Sequence, residues 1–290
     1  MTLPLFEPAF DRAGLARKLR ALTEENIWIG TSTWKYEGWL DQIYSRERYL
    51  SRGRFSKKRF ESECIAEFFE TFPTVCGDFA FYQFPTPEFW SKLFTAVPMG
   101  MKMALKVPRE ALLDSRVLNT MFLDPLEPHR DRLGPIIFEF GAQSTTLSAF
   151  IGILNGFLGD LSASNDYAIE VRNPGYLKPD YFACLREHRV AHVFNSWTRM
   201  PSIADQMKIP GAFTADFTVT RALLRPGRAY EQAVEKFQPY DKVQDENPEV
   251  RDALREMIRR MKEERRAAYI YVNNRLEGNA PETIQAVVAD

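Results

Sequence analysis

The chain is poor in the residues that carry metal and redox chemistry, with 3 cysteines and 3 histidines among 290 residues. Cys64, Cys76 and Cys184 are widely spaced and form no C-x-x-C pair. That argues against a disulfide framework and a zinc ribbon and fits a reducing compartment. His129, His188 and His192 are not paired at ligand spacing, and only His192 falls in a strand-like segment, so no metal centre and no cofactor are expected. A magnesium site built from Asp78, Glu139 and Glu170 is the one metal arrangement left open. There is no glycine-rich phosphate loop, no G-x-S-x-G elbow and no cysteine beside a base. No uninterrupted apolar run approaches membrane-spanning length, and Glu7 and Asp11 stand where a signal peptide needs basic and then apolar residues. The expectation is a cytoplasmic protein with no membrane partner. Lys and Arg number 38 against 39 Asp and Glu, a formal charge of −1, so any attraction for anions or nucleic acid has to be local.

What the chain does have is 45% hydrophobic content, enough for one large core, and a length within the range of a single (β/α) barrel. Residues 1–26 read as an N-terminal helical extension, with Phe10, Leu15, Leu19 and Leu22 in a partial stripe, and residues 27–290 as the barrel domain. Strand signals begin near 27, 78, 101, 135, 167, 190, 213 and 268. Helical signals separate them, such as Phe60, Cys64, Ile65, Phe68, Phe69 and Phe72, or Val250, Leu254, Met257, Ile258 and Met261 after Asn247-Pro248. Strands alternating with helices predict parallel βαβ units, and closing them into a TIM-like barrel leaves no exposed sheet edge. In such a barrel the active site lies at the strand C-termini.

The strand ends are where the polar residues fall. Tyr167-Ala-Ile-Glu-Val-Arg-Asn-Pro-Gly175 runs an apolar strand into Glu170 and Arg172 before a chain break, and other strands end on Ser32, Tyr82, Lys106, Glu139, Asn195, Arg221, Asn273 and Asn274. Together with Gly30-Thr-Ser-Thr-Trp34-Lys-Tyr36-Glu-Gly-Trp39 and Gly278-Asn-Ala280, these residues resemble the YecE-like barrel family of unknown function, in the same order over roughly residues 27–288. The resemblance implies a TIM-type barrel with these positions lining its mouth; it implies no reaction. The chain departs from that family's pattern at Cys76 and Asp78, where a Glu-x-Asn pair is usual. It departs again at Glu139-Phe-Gly141, in place of Gln and two prolines, and at Arg221-Ala-Leu-Leu224, in place of Arg-x-His-Gly.

Glu170 and Arg172 share strand parity and therefore one face. They are either a buried ion pair bracing the barrel or part of a ligand site. Lys106 and Arg221 favour the ligand site, because clustered buried cations call for an anionic partner. In that reading Arg172, Arg221 and Lys106 bind an anionic or sugar-like molecule, Asn273 and Asn274 orient it, and Ser32, Tyr82 and Trp34 complete the pocket. Glu170 is the first candidate for acid or base. Glu139 beside Glu170 keeps a glycosidase-type carboxylate pair open. Trp34, Tyr36, Trp39 and Trp197 are either a stacking platform or a satellite core. The run from Arg46 to Arg59 holds seven Lys or Arg and one Glu. Following a strand, it is expected over the catalytic face, where it would steer anions; nucleic acid as its partner is a disfavoured alternative, and the oligomeric state is left open.

Overall fold

The computed structural model describes residues 10–77, 84–142 and 144–289. Eight strands form one closed barrel with every pairing parallel. In chain order they are β1 (Ile27–Thr31), β2 (Thr74–Gly77), β3 (Lys102–Lys106), β4 (Leu133–Phe140), β5 (Tyr167–Val171), β6 (Ala191–Ser196), β7 (Phe217–Ala222) and β8 (Ala267–Val272). Each pairs with its sequence neighbour and β8 closes onto β1, as right-handed βαβ crossovers require. The helices are α1 (Arg12–Glu24), α2 (Lys57–Thr71), α3 (Pro87–Thr95), α4 (Leu147–Gly159), α5 (Pro179–Glu187), α6 (Ile203–Lys208), α7 (Tyr230–Phe237), α8 (Pro248–Glu264) and α9 (Ala280–Val287).

One strand lies away from its expected place, and another meets the edge of the described residues. The second is described over Thr74–Gly77, and the stretch expected to begin near Asp78 lies outside the described residues. The seventh begins at Phe217, not Phe213. Phe213 instead packs on the Phe194 ring with the Arg260 guanidinium above it. Thr214 uses its hydroxyl to hold the start of β6, accepting from the His192 amide and donating to the Val190 carbonyl. Aromatic and β-branched residues read as strand are here spent on a connection.

Helix starts follow local chemistry. Ser56, Thr86, Thr146, Ser202, Asn247 and Asn279 each accept a backbone N–H in the first turn of the helix they precede, and proline opens α3, α5 and α8. The core has two layers. Small and branched residues, among them Cys76, Ala104, Ile137, Ala168, Ala191, Val193 and Val219, fill the barrel with Tyr269 and Tyr271. A larger shell lies between strands and helices and includes Trp39, Phe60, Phe68, Trp90 and Phe138. At Gly30 an added Cβ would lie 1.8 Å from the Thr74 carbonyl oxygen, so only glycine lets β1 approach β2.

The connection after β1 divides its basic residues, Arg48 lying along α2 and Lys57, Lys58 and Arg59 opening that helix. Tyr36 to Gln42 stays at the strand C-terminal side, Gln42 bonding Glu282 and Asn279 at the start of α9. Ser45 to Tyr49 then descends along α2, whose last turn leads into the bottom of β2. The Ser45 amide and hydroxyl and the Tyr49 hydroxyl donate to Glu67. Arg48 pairs with Glu67 and Glu70, where Arg12 of α1 joins them. Arg46, Arg48, Lys57 and Arg59 are held in local ion pairs, which weakens the steering role expected of this run.

Candidate functional site

Alternation along each strand sets the mouth. One step beyond the barrel-filling residues Ala104, Ile137, Ala168, Val193, Val219 and Tyr271, the same face presents Lys106, Glu139, Glu170, Asn195, Arg221 and Asn273. Register aligns them: Glu139 sits opposite Glu170, and Asn195 and Tyr271 flank Arg221. Arg172 follows immediately after β5, its amide donating to the Phe140 carbonyl at 3.0 Å.

Five charged groups meet there. Arg221 Nη1 bridges both carboxylates, at 3.0 Å from Glu139 Oε2 and in a short contact with Glu170 Oε2. Arg172 makes a second bridge, its Nη2 at 2.9 Å from Glu139 Oε2 and its Nε at 3.3 Å from Glu170 Oε1. Lys106 Nζ lies 3.7 Å from Glu139 Oε2. Glu170 has no exposed side-chain surface and Arg221 very little, whereas Glu139 retains 18% and Arg172 13%. The cluster thus has a sealed floor and an accessible rim. Among the described residues three cations, Lys106, Arg172 and Arg221, face two carboxylates, Glu139 and Glu170.

The electrostatics follow from that packing. Burial opposes ionisation of Glu139, but Arg221, Arg172 and Lys106 outweigh it and hold its carboxyl down at about 2. Burial likewise disfavours the Arg221 charge, and Glu170 and Glu139 more than restore it. The Arg172 guanidinium also lies flat over the Trp197 ring, 3.6 Å from its centroid, which fixes its plane. Arg221 Nε and Asn195 Oδ1 are buried without hydrogen-bond partners.

The remaining expected site residues divide. Asn273 joins the mouth, donating from Nδ2 to Ser32 Oγ at 2.5 Å. Asn274 has the opposite parity and turns to the helix layer, where its Oδ1 accepts from the Ala280 amide at 2.7 Å. Trp34 is buried in the outer shell, and its carbonyl accepts from the Tyr44 hydroxyl. Tyr82 and Asp78 lie outside the described residues. No grouping of three or more His, Cys, Asp or Glu side chains suited to a metal occurs among the described residues. Most of the basic run is paired outside the mouth, Arg46 with Asp41, Arg48 with Glu70, Lys57 with Glu37 and Arg59 with Glu63. One residue escaped the sequence reading, Arg275, which stands just past Asn273 and Asn274 with its guanidinium 4.6 Å from the Tyr230 ring centroid. Its place at the polar end of the last strand was the available signal.

No curated protein matches. Solved structures share the fold: a DUF72 family protein from Enterococcus faecalis V583 superposes with a TM-score of 0.66 at 16% identity, covering 91% of this chain and 96% of that one. Another, from Thermotoga maritima MSB8, gives 0.62 at 19% identity, covering 89% and 96%. Among the described residues no helix is long and apolar enough to cross a membrane. The family model described as "Protein of unknown function DUF72" matches residues 28–290, nearly the whole barrel, and the chain belongs to that family.

Proposed function

We propose that the mouth binds a small anionic molecule, such as a sugar phosphate or a carboxylate, and that the protein is an enzyme acting on it. The carrying observation is the convergence of three cations, Lys106, Arg172 and Arg221, with Glu139 and Glu170 in a cluster with little solvent. Leaving charge uncompensated under such burial costs several kcal/mol by order of magnitude, and an anion at the rim offsets it. Guanidinium groups held in plane by Glu139, Glu170 and Trp197 suit bidentate capture of phosphate or carboxylate. Asn273, with Ser32, supplies neutral donors and acceptors for hydroxyl groups.

Glu170 is our candidate for acid or base; Glu139, held down at about 2, carries no proton at neutral pH. The paired basic loop gives the nucleic-acid alternative no support.

The test is thermal-shift screening with inorganic phosphate, sugar phosphates and small carboxylates, followed by titration of Lys106→Gln and Arg172→Gln. A ligand at about a hundredfold over its Kd stabilises by about 2.7 kcal/mol, which such a screen resolves. Both variants are expected to fold and to lose affinity. If a hit is turned over, Glu170→Gln keeps binding and abolishes turnover. An unresponsive wild type would leave the five groups as a structural brace.

A further inference from the structure

Arg275 lies on the same face as the charge cluster and differs from the other half-buried arginines. Among the described residues no carboxylate stands within salt-bridge distance of it, and its Nε is buried without a partner. The acids near it are committed elsewhere, Glu277 to Arg251 and Asp245 to Arg225, Arg228 and Lys236. Its surroundings are phenols. Its guanidinium sits over Tyr230, and it opposes the upward push that burial exerts on Tyr36 and Tyr240. Its guanidinium is half-buried and hydrogen-bonded to the Tyr36 and Tyr240 phenols with no carboxylate facing it among the described residues, so an anion there would add a charge-assisted partner.

A continuous path joins the two. The Arg275 amide donates to Asn273 Oδ1 at 2.9 Å, and Asn273 holds Ser32 at the mouth. Tyr36 and Trp197 pack against one apolar cluster of Leu223, Leu224, Phe237 and Tyr240, and Trp197 carries Arg172 on its ring. One wall therefore runs from the central arginines to Arg275, mixed aromatic and polar along its length.

We propose that Arg275 is a second anion contact of this site, so that the ligand carries two acidic groups on a short backbone, one on Arg172, Arg221 and Lys106 and the other on Arg275. This rests on the anion reading above. It selects doubly phosphorylated or phosphorylated-and-carboxylated small molecules over simple monoesters. Arg275 is on this view a specificity residue rather than part of the proton-transfer chemistry.

Calorimetric titration with inorganic phosphate, glucose 6-phosphate, fructose 1,6-bisphosphate and a dicarboxylate of similar span tests it. Wild type is expected to bind one of the doubly anionic probes about tenfold or more above glucose 6-phosphate, the yield of one added charge-assisted contact. Arg275→Gln should erase that preference and leave phosphate and glucose 6-phosphate binding unchanged; Arg275→Lys, which keeps the charge, should retain part of it. Equal binding of singly and doubly anionic probes by the wild type overturns the proposal, and so does an Arg275→Gln loss that is the same for all. In those outcomes phosphate still binds and the anion reading stands. Failure of every probe on the wild type removes the anion reading itself, and this inference with it.

Discussion

Glu170 is sealed from solvent and contacts two arginines, one buried and one at the rim, so those arginines differ in what they contribute to stability. Removing Arg221 leaves a buried carboxylate with its nearest cation gone. Arg221→Met is expected to cost about 3–5 kcal/mol, and the pair Arg221→Met with Glu170→Met to recover most of it, in urea denaturation. Arg172→Gln, at the rim, should cost less. A second residue-scale effect is acid lability at His192, whose ring is enclosed by Tyr181, Phe182 and Phe194. Burial lowers it from about 6.5 to about 4. The unfolded chain therefore takes up this proton below 6.5 while the folded chain resists until about 4, and stability falls as pH drops through that window. The loss approaches about 3 kcal/mol by linkage. Denaturation midpoints between pH 7 and 4 should show this limb, and His192→Leu should flatten it. Glu139 acts lower, its contribution vanishing only as pH falls from 4.5 towards 2. The mouth residues were legible because a buried strand ending in Glu, Arg or Lys announces itself. That one guanidinium nitrogen would serve both carboxylates was not, since separations within a few ångströms depend on strand stagger.

Among the elements, α4 carries a cost its packing does not explain. Gly152 and Gly156 lie on its exposed side, and a Cβ at either would meet nothing within 4 Å. Helix-interior glycine is less favourable than alanine by about 0.8–1 kcal/mol. Gly152→Ala and Gly156→Ala should each raise stability by about that amount, read as a higher urea midpoint with an unchanged slope. Helix and strand identity came readily from the sequence because apolar spacing and capping residues agree, as at Asn247-Pro248 and the stripe Val250, Leu254, Met257 and Met261. The error arose where an aromatic residue outweighed position: Phe213 looked like strand and is a packing plug. The course of the long connection after β1 was hidden for another reason. Glu67 is a buried acceptor, and one helix residue in the sequence does not reveal that Ser45, Arg48 and Tyr49 converge on it.

At the scale of the molecule, a barrel closed by β8 onto β1 has no edge to protect, and the mouth cluster adds a brace across its lumen. Arg221 is 51 residues from Glu170 and 82 from Glu139 along the chain, and belongs to a strand that pairs with neither. Contacts so distant in sequence form after local βαβ units have assembled. Energy stored in them is therefore absent from the barrier to folding and present in the barrier to unfolding. Arg221→Met should accelerate unfolding in stopped-flow measurements with little change in the refolding rate. The brace thus acts as a latch: it governs how long an assembled barrel persists, and a ligand seated on its cations would lengthen that lifetime.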